Sequence, residues 1–229
     1  MLTQDFFYKR FYALQIGPQF SDKGLVEFIE ACKNHERYIA GVAVNLHQIS
    51  QTGSLLADSG INLVGPVAYP LGNLPTELKV VQIEEAVRDG ADEIHAVMKV
   101  EALLCGDYES ARKDAQAMIE ACRKIKFKAL ISNAPYLTED QALEAARICM
   151  DLGAAYITTS GFGLNTEIDD VQKIRKALGD EIQIISSGGC RTAEQAISHL
   201  KVGGNKIATG TPFKMLEELE GLMALQAIK

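Results

Sequence analysis

Where a strand-like run gives way to a helical one, the chain reads Ser186-Ser187-Gly188-Gly189-Cys190-Arg191-Thr192. Two adjacent glycines let a backbone turn approach a ligand closely, and the amides that open the next helix are free donors. The following run ends in Ala208-Thr209-Gly210-Thr211-Pro212 and again opens a helix. Two such loops side by side suit a phosphate group. Gly188, Gly189, Cys190, Thr209, Gly210 and Thr211 are the candidate phosphate-binding residues, with Arg191 either an assisting cation or a solvated cap residue. Two tight turns without a ligand are the alternative.

Two side chains could carry acid–base or amine chemistry. His95 could act as general acid or base, the chemistry for which an imidazole is most often used; a hydrogen-bonded core histidine is the alternative. Lys99 could be a desolvated amine for Schiff-base chemistry, or a rim lysine whose stem lies on apolar surface and whose ammonium reaches water. Four strand residues apart, their Cα atoms would lie about 13 Å from each other, too far to pair directly. Asn45, His47 and Asn133 stand near strand ends as possible hydrogen-bonding groups. Tyr69-Pro70-Leu71-Gly72 and Thr159-Ser160-Gly161-Phe162-Gly163 are small, flexible stretches that suit either a pocket or plain turns.

Positioning these residues is the task of a regular alternation. Strand-like runs fall at 11–14, 38–45, 62–68, 93–99, 128–132, 156–159, 183–187 and 206–209. Helical patterns fall between them, near 21–34, 76–89, 107–125, 138–151, 167–178, 192–200 and 212–228, with a shorter one near 48–58. Thr138-Glu139-Asp140-Gln141 and Thr192-Ala193-Glu194-Gln195 read as capping boxes, and Gly90, Gly153 and Gly179 follow helical runs as C-terminal cap glycines do. No linker or composition shift divides residues 1–229. Eight strands alternating with helices predict a single (β/α)8 TIM barrel. An open doubly wound sheet is the runner-up, disfavoured because no G-x-G-x-x-G or P-loop follows the first strand.

Barrel parity assigns faces. The outer face of a strand packs on helices and should be apolar, so Ile94, Ala96 and Met98 point out and Glu93, His95, Val97 and Lys99 point in, with Lys99 at the C-terminal end. Ile157 outward leaves Tyr156 and Thr158 inward. Ile182 and Ile184 outward leave Gln183, Ile185 and Ser187 inward. Thr158, Ile185 and Ser187 by this parity, with Asn45 near a strand end and Ser160 in the loop that ends the sixth strand, are the candidate substrate-pocket residues.

Composition narrows the function class. The 229 residues are 47% hydrophobic and 23% charged, which excludes disordered and low-complexity chains. A net charge of −7 argues against a nucleic-acid-coating surface. No run of apolar residues is long enough to span a membrane, and Met1 to Asp5 have neither a basic region nor an apolar core of a signal peptide. Five cysteines without a CxxC pair argue against a metal or disulfide framework and for core thiols in a reducing, cytoplasmic setting.

Taken together, Tyr69-Pro70-Leu71-Gly72, Thr76-Glu77-Leu78-Lys79, Gly90-Ala91-Asp92-Glu93-Ile94, Ala102-Leu103-Leu104-Cys105-Gly106-Asp107-Tyr108, Gly153-Ala154-Ala155-Tyr156-Ile157, Thr159-Ser160, Ser187 to Thr192 and Lys206-Ile207-Ala208-Thr209-Gly210 resemble the deoxyribose-phosphate aldolases over about 12–214. The resemblance implies a TIM barrel, class I (Schiff-base) aldolase ancestry, no metal, no cofactor, and a small phosphorylated sugar or aldehyde as ligand. It also implies departures. The family's Schiff-base lysine falls on Thr158, its second lysine on Ile185, its catalytic aspartate on His95, a first-strand acid loosely on Tyr12 and a second-strand cysteine on Ala43. Three expectations follow: a lyase whose amine has moved to Lys99, a proton-transfer enzyme using His95, or a non-catalytic phosphosugar-binding homologue. No nucleic-acid or membrane partner is expected, and a homodimer is compatible with the sequence.

Overall fold

A computed structural model of the chain describes residues 3–122, 125, 127–160 and 165–227. Eight parallel strands, β1 (Phe11–Gln15), β2 (Ile39–Val44), β3 (Asn62–Val67), β4 (Glu93–Val97), β5 (Phe127–Ile131), β6 (Tyr156–Thr158), β7 (Gln183–Ser187) and β8 (Lys206–Thr209), close in sequence order into a barrel. The helices around it are α1 (Asp22–Asn34), α2 (Ile49–Leu56), α3 (Thr76–Arg88), α4 (Val100–Leu104), α5 (Tyr108–Ala121), α6 (Glu139–Asp151), α7 (Ile168–Leu178), α8 (Ala193–Lys201) and α9 (Pro212–Ala227). Both expected capping boxes form, at the starts of α6 and α8. Among the described residues no helix is long and apolar enough to cross a membrane.

Alternating side chains build two cores. The outward set, with Val42, Leu63, Ile94, Leu130, Ile157, Ile184 and Ile207, packs against the helices. The inward set forms a separate cluster that includes Tyr12, Ala43, Val64, Ala129, Tyr156, Ile185 and Ala208. Strands in a barrel are tilted, so side chains at one height come from alternate strands. The registers place Tyr12, Val64, Ala129 and Ile185 in one inward layer. Gly41, Glu93, Tyr156 and Lys206 lie in the layer below, towards the N-terminal ends of the strands. Ala43, His95, Thr158 and Ala208 lie in the layer above, beneath the mouth.

The fourth strand departs from the expected span. It stops at Val97, and Lys99 becomes the N-cap of α4, a helix the sequence pattern did not separate from its surroundings. The alternation stops with it: Val97 belongs to the helix-side core, and its carbonyl accepts a hydrogen bond from the buried Lys79 Nζ at 3.1 Å.

Candidate functional site

The loops after β7 and β8 meet at the C-terminal mouth. Gly188 and Gly189 adopt φ of +91° and +76°, a left-handed turn that side-chain-bearing residues resist. A Cβ on Gly189 would lie 2.5 Å from Asn165 Oδ1. The turn is tied down from β6: Thr159 Oγ1 accepts the Ser187 amide at 3.1 Å, Thr159 and Thr166 hydroxyls meet at 2.8 Å, and the Thr166 amide donates to the Gly188 carbonyl. On the β8 side, Thr209 Oγ1 donates to the Cys190 carbonyl at 2.8 Å and accepts the Thr211 amide at 3.1 Å.

All six residues expected to cradle phosphate line one cavity of about 330 Å³, together with Ser187, Leu14 and Tyr69. Among the described residues the amides of Gly189, Cys190 and Gly210 have no acceptor. The Arg191 and Thr192 amides are occupied by Gln195 Oε1 at 2.9 and 3.1 Å. Cys190 contributes backbone only: its thiol is buried in the helix-side core, and burial pushes it up to about 12.

Below the mouth lies a hydrogen-bonded interior. Thr158 and Ile185 are inward, as parity required, and Thr158 Oγ1 is buried with no hydrogen-bond partner among the described residues. His95 Nε2 lies 3.2 Å from Glu93 Oε2, and its ring meets the Tyr12 ring edge-on at 5.1 Å. Tyr12 donates its hydroxyl to Glu93 Oε2 at 2.8 Å, and Asn62 Nδ2 donates to Glu93 Oε1 at 2.6 Å. Burial alone would push the Glu93 carboxyl up, but hydrogen bonds from His95, Asn62 and Tyr12 hold it below its ordinary value. Burial, with the neighbouring Glu93 charge, pushes the Tyr12 phenol far up, so it remains a neutral donor. Lys206 Nζ stands over the Tyr12 and Tyr156 rings at 5.2 and 5.4 Å.

Other expected site residues lie elsewhere. Lys99 does not enter the barrel: it caps α4, half-buried, with its charge acting on exposed Asp107. The cause is the end of β4 two residues earlier, which removes the parity that would have turned it inward. Asn45 lines adjoining mouth cavities, with its amide group bound both ways to the Gly17 backbone. His47 lines one of these cavities, Asn133 donates to the Pro70 carbonyl at 3.2 Å, and Ser160 is buried at the end of β6. Gly161, Phe162 and Gly163 lie outside the described residues. Sequence reasoning did not single out Lys206 or Thr166. A lysine at the first position of an inward-parity strand was the available signal for Lys206; Thr166 precedes its helix with no local mark.

The fold and these loops have counterparts among known proteins. A family model described as DeoC/LacD family aldolase matches residues 22–227. The chain belongs to the DeoC/LacD aldolase family. Among similar proteins, the deoxyribose-phosphate aldolase of Thermococcus kodakarensis is 32% identical over 198 residues, covering 83% of this chain and 88% of the relative. That of Caldicellulosiruptor saccharolyticus is 33% identical over 183 residues, covering 78% and 83%. The solved structure of QR15, an aldolase, superposes with a TM-score of 0.86 at 25% identity, covering 97% of this chain and 98% of that one. The tetrameric deoxyribose phosphate aldolase of Aeropyrum pernix shares the fold at a TM-score of 0.86 and 18% identity, covering 96% and 92%. In this DeoC-family barrel, the described layer beneath the mouth holds Ala43, His95, Thr158 and Ala208, and no lysine.

Proposed function

We propose that this DeoC-family protein binds a small phosphorylated sugar or aldehyde in the mouth and acts on it by proton transfer at His95, without an imine. The observation that carries this is the composition of the two upper interior layers. Thr158 and Ile185, on which the resemblance places the family's lysines, offer a hydroxyl and an alkyl chain, while His95 stands in the same layer as Thr158 and is held by a carboxylate. An imine needs an amine at the reacting carbonyl. Lys99 lies outside the barrel, and Lys206 starts one layer below Tyr12 and Ile185.

The phosphate is read by the free amides of Gly189, Cys190 and Gly210, the arrangement that loops after strands seven and eight provide in barrels of this type. The carbonyl end then reaches down to the His95–Thr158 layer. His95 takes a proton from the carbon beside the carbonyl, the C–H electron pair becomes a C=C bond, the C=O π pair moves onto the oxygen, and the Thr158 hydroxyl donates a hydrogen bond to that oxygen. Return of a proton from the imidazolium to the carbon reverses the enolisation and leaves that carbon exchanged. A non-catalytic phosphosugar-binding protein is the second reading, supported by the absence of both amines; the carboxylate-held imidazole favours the first.

Incubation of the purified protein with three- to five-carbon aldose and ketose monophosphates in heavy water, followed by proton NMR, tests this. Deuterium should enter next to the carbonyl, His95→Gln should slow its entry by about 10²-fold or more, and deoxyribose 5-phosphate should not be cleaved. Borohydride should trap no lysine. A trapped lysine, or exchange indifferent to His95→Gln, overturns the proposal; phosphate binding without any exchange selects the second reading.

A further inference from the structure

The phosphate loops and the interior beneath them account for one side of the mouth. On the other side, the loops after β1, β2 and β3 enclose a second cavity of about 610 Å³. That volume alone lies within the range of about 300–1,000 Å³ usual for small-molecule sites. The two cavities share walls: Ile16, Gln19, Phe20 and Tyr69 line both. Neighbouring elements hold these walls in place. The Asn45 side chain accepts the Gly17 amide at 3.0 Å and donates to the Gly17 carbonyl at 3.1 Å, which ties the loop after β1 to the end of β2. Ala68 stands in the left-handed region at φ +51°, with its amide on Gln82 Oε1 of α3 at 2.9 Å, and the Pro70 carbonyl accepts Asn133 Nδ2 at 3.2 Å. A residue with a side chain keeps that backbone conformation only where its surroundings impose it, and here the fixed turn carries Tyr69 to the boundary of the two cavities.

We propose that this cavity is a second ligand subsite, which takes a flat apolar group carried by the phosphorylated compound, with Phe20 and Tyr69 as its aromatic walls. The inference rests on the phosphate reading of the loops after β7 and β8, and it adds a part of the ligand that a three- to five-carbon sugar phosphate lacks. The lining sets the chemistry. Ile16, Phe20, Tyr69 and Pro70 present rings and alkyl surface. Asn45 is committed to the Gly17 backbone and to Gln48 Oε1 at 3.3 Å, which leaves the exposed side chains of Gln19 and His47 to meet a polar edge of the ligand. Among the described residues no lysine, arginine or carboxylate lines the cavity, so a second anionic group would find no fixed counter-charge there. A ring packed against aromatic side chains gains apolar burial together with offset or edge-on contact. Because the shared walls join the two cavities, one molecule can place its phosphate on the glycine loops and its ring beside Tyr69.

Calorimetric titration of the full chain with inorganic phosphate, methyl phosphate and a graded series of phenyl, benzyl and phenethyl phosphates tests this. The best aryl ester should bind at least tenfold more tightly than methyl phosphate, the low end of what burial of one ring supplies. The aryl-to-methyl affinity ratio should fall below threefold in Phe20→Ala and in Tyr69→Ala. Nuclear Overhauser contacts should join the ring protons of the ligand to the His47 imidazole, which lines this cavity and not the phosphate cavity. Phosphate binding with no aryl gain overturns the inference and leaves the phosphate reading standing. A gain untouched by both substitutions, or ring contacts away from His47, overturns it as well. Should Tyr69→Ala not fold, Phe20→Ala and the His47 contacts decide by the same outcomes. Failure of inorganic and methyl phosphate to bind at all would sink the phosphate reading, and this inference with it.

Discussion

Thr158 on β6 and Ile185 on β7 are register partners, both inward and both buried, with Thr158 one layer nearer the mouth. Among the described residues Thr158 Oγ1 has no hydrogen-bond partner, which a buried hydroxyl rarely tolerates without a use. Thr158→Val removes the hydroxyl and keeps the branch. Its stability in urea should stay within about 1 kcal/mol of the unsubstituted protein, because no internal bond is lost. Exchange at the substrate carbon should fall about tenfold, the effect of one lost hydrogen bond. Equal exchange in the two proteins would remove Thr158 from the mechanism.

Gly210 offers a cleaner probe of the phosphate loops than Gly189. A Cβ on Gly189 meets Asn165 at once, whereas one on Gly210 meets nothing nearer than the Leu14 carbonyl oxygen at 3.9 Å. Gly210→Asp should therefore fold and place a carboxylate among the donor amides. Calorimetric titration with inorganic phosphate should show affinity reduced at least tenfold, about 1.4 kcal/mol. Undiminished binding would place the phosphate elsewhere.

Gly41 sets the position of Tyr12. A Cβ there would lie 2.7 Å from Tyr12 Cε1 and 3.0 Å from the Asn62 carbonyl oxygen. The Tyr12 ring is pinned by its bond to Glu93 and cannot swing away freely. Gly41→Ala should cost about 1–3 kcal/mol in denaturant unfolding, the usual range for overpacking. It should also move the His95 ring resonances, which a change confined to β2 would leave in place.

Acid should weaken the fold through Glu93. Its carboxyl is held below its ordinary value in the folded protein, so in the window between that folded value and the unfolded value of about 4.3 the unfolded chain binds more protons. The stabilisation is complete above that window and is lost as pH falls through it. Melting temperatures measured from pH 6 to pH 3 should drop more steeply for the unsubstituted protein than for Glu93→Gln. Parallel curves would show that Glu93 does not govern the acid limb.

How much of this was legible in sequence follows from the range of the interactions involved. Strand and helix alternation, the two capping boxes, the glycine turn at 188–189 and the inward parity of His95, Thr158 and Ile185 are local: each depends on side-chain period or on backbone freedom within a few residues. The resemblance motifs then pointed to the family that the matched region bears out. Local pattern also misled. Alternation through residue 99 turned Lys99 inward, but parity holds only while the strand lasts, and β4 ends where buried Lys79, ion-paired with Asp114 at 2.8 Å, takes the Val97 carbonyl. The descent of Tyr12 into the space at Gly41, the meeting of Glu93 with Tyr12 and Asn62 from other strands, and the placing of Lys206 over two rings were decided by the closed register alone. Sequence fixes which face a side chain takes. The tilt and closure of the strands fix its height, and height decides which residues from distant strands share a layer.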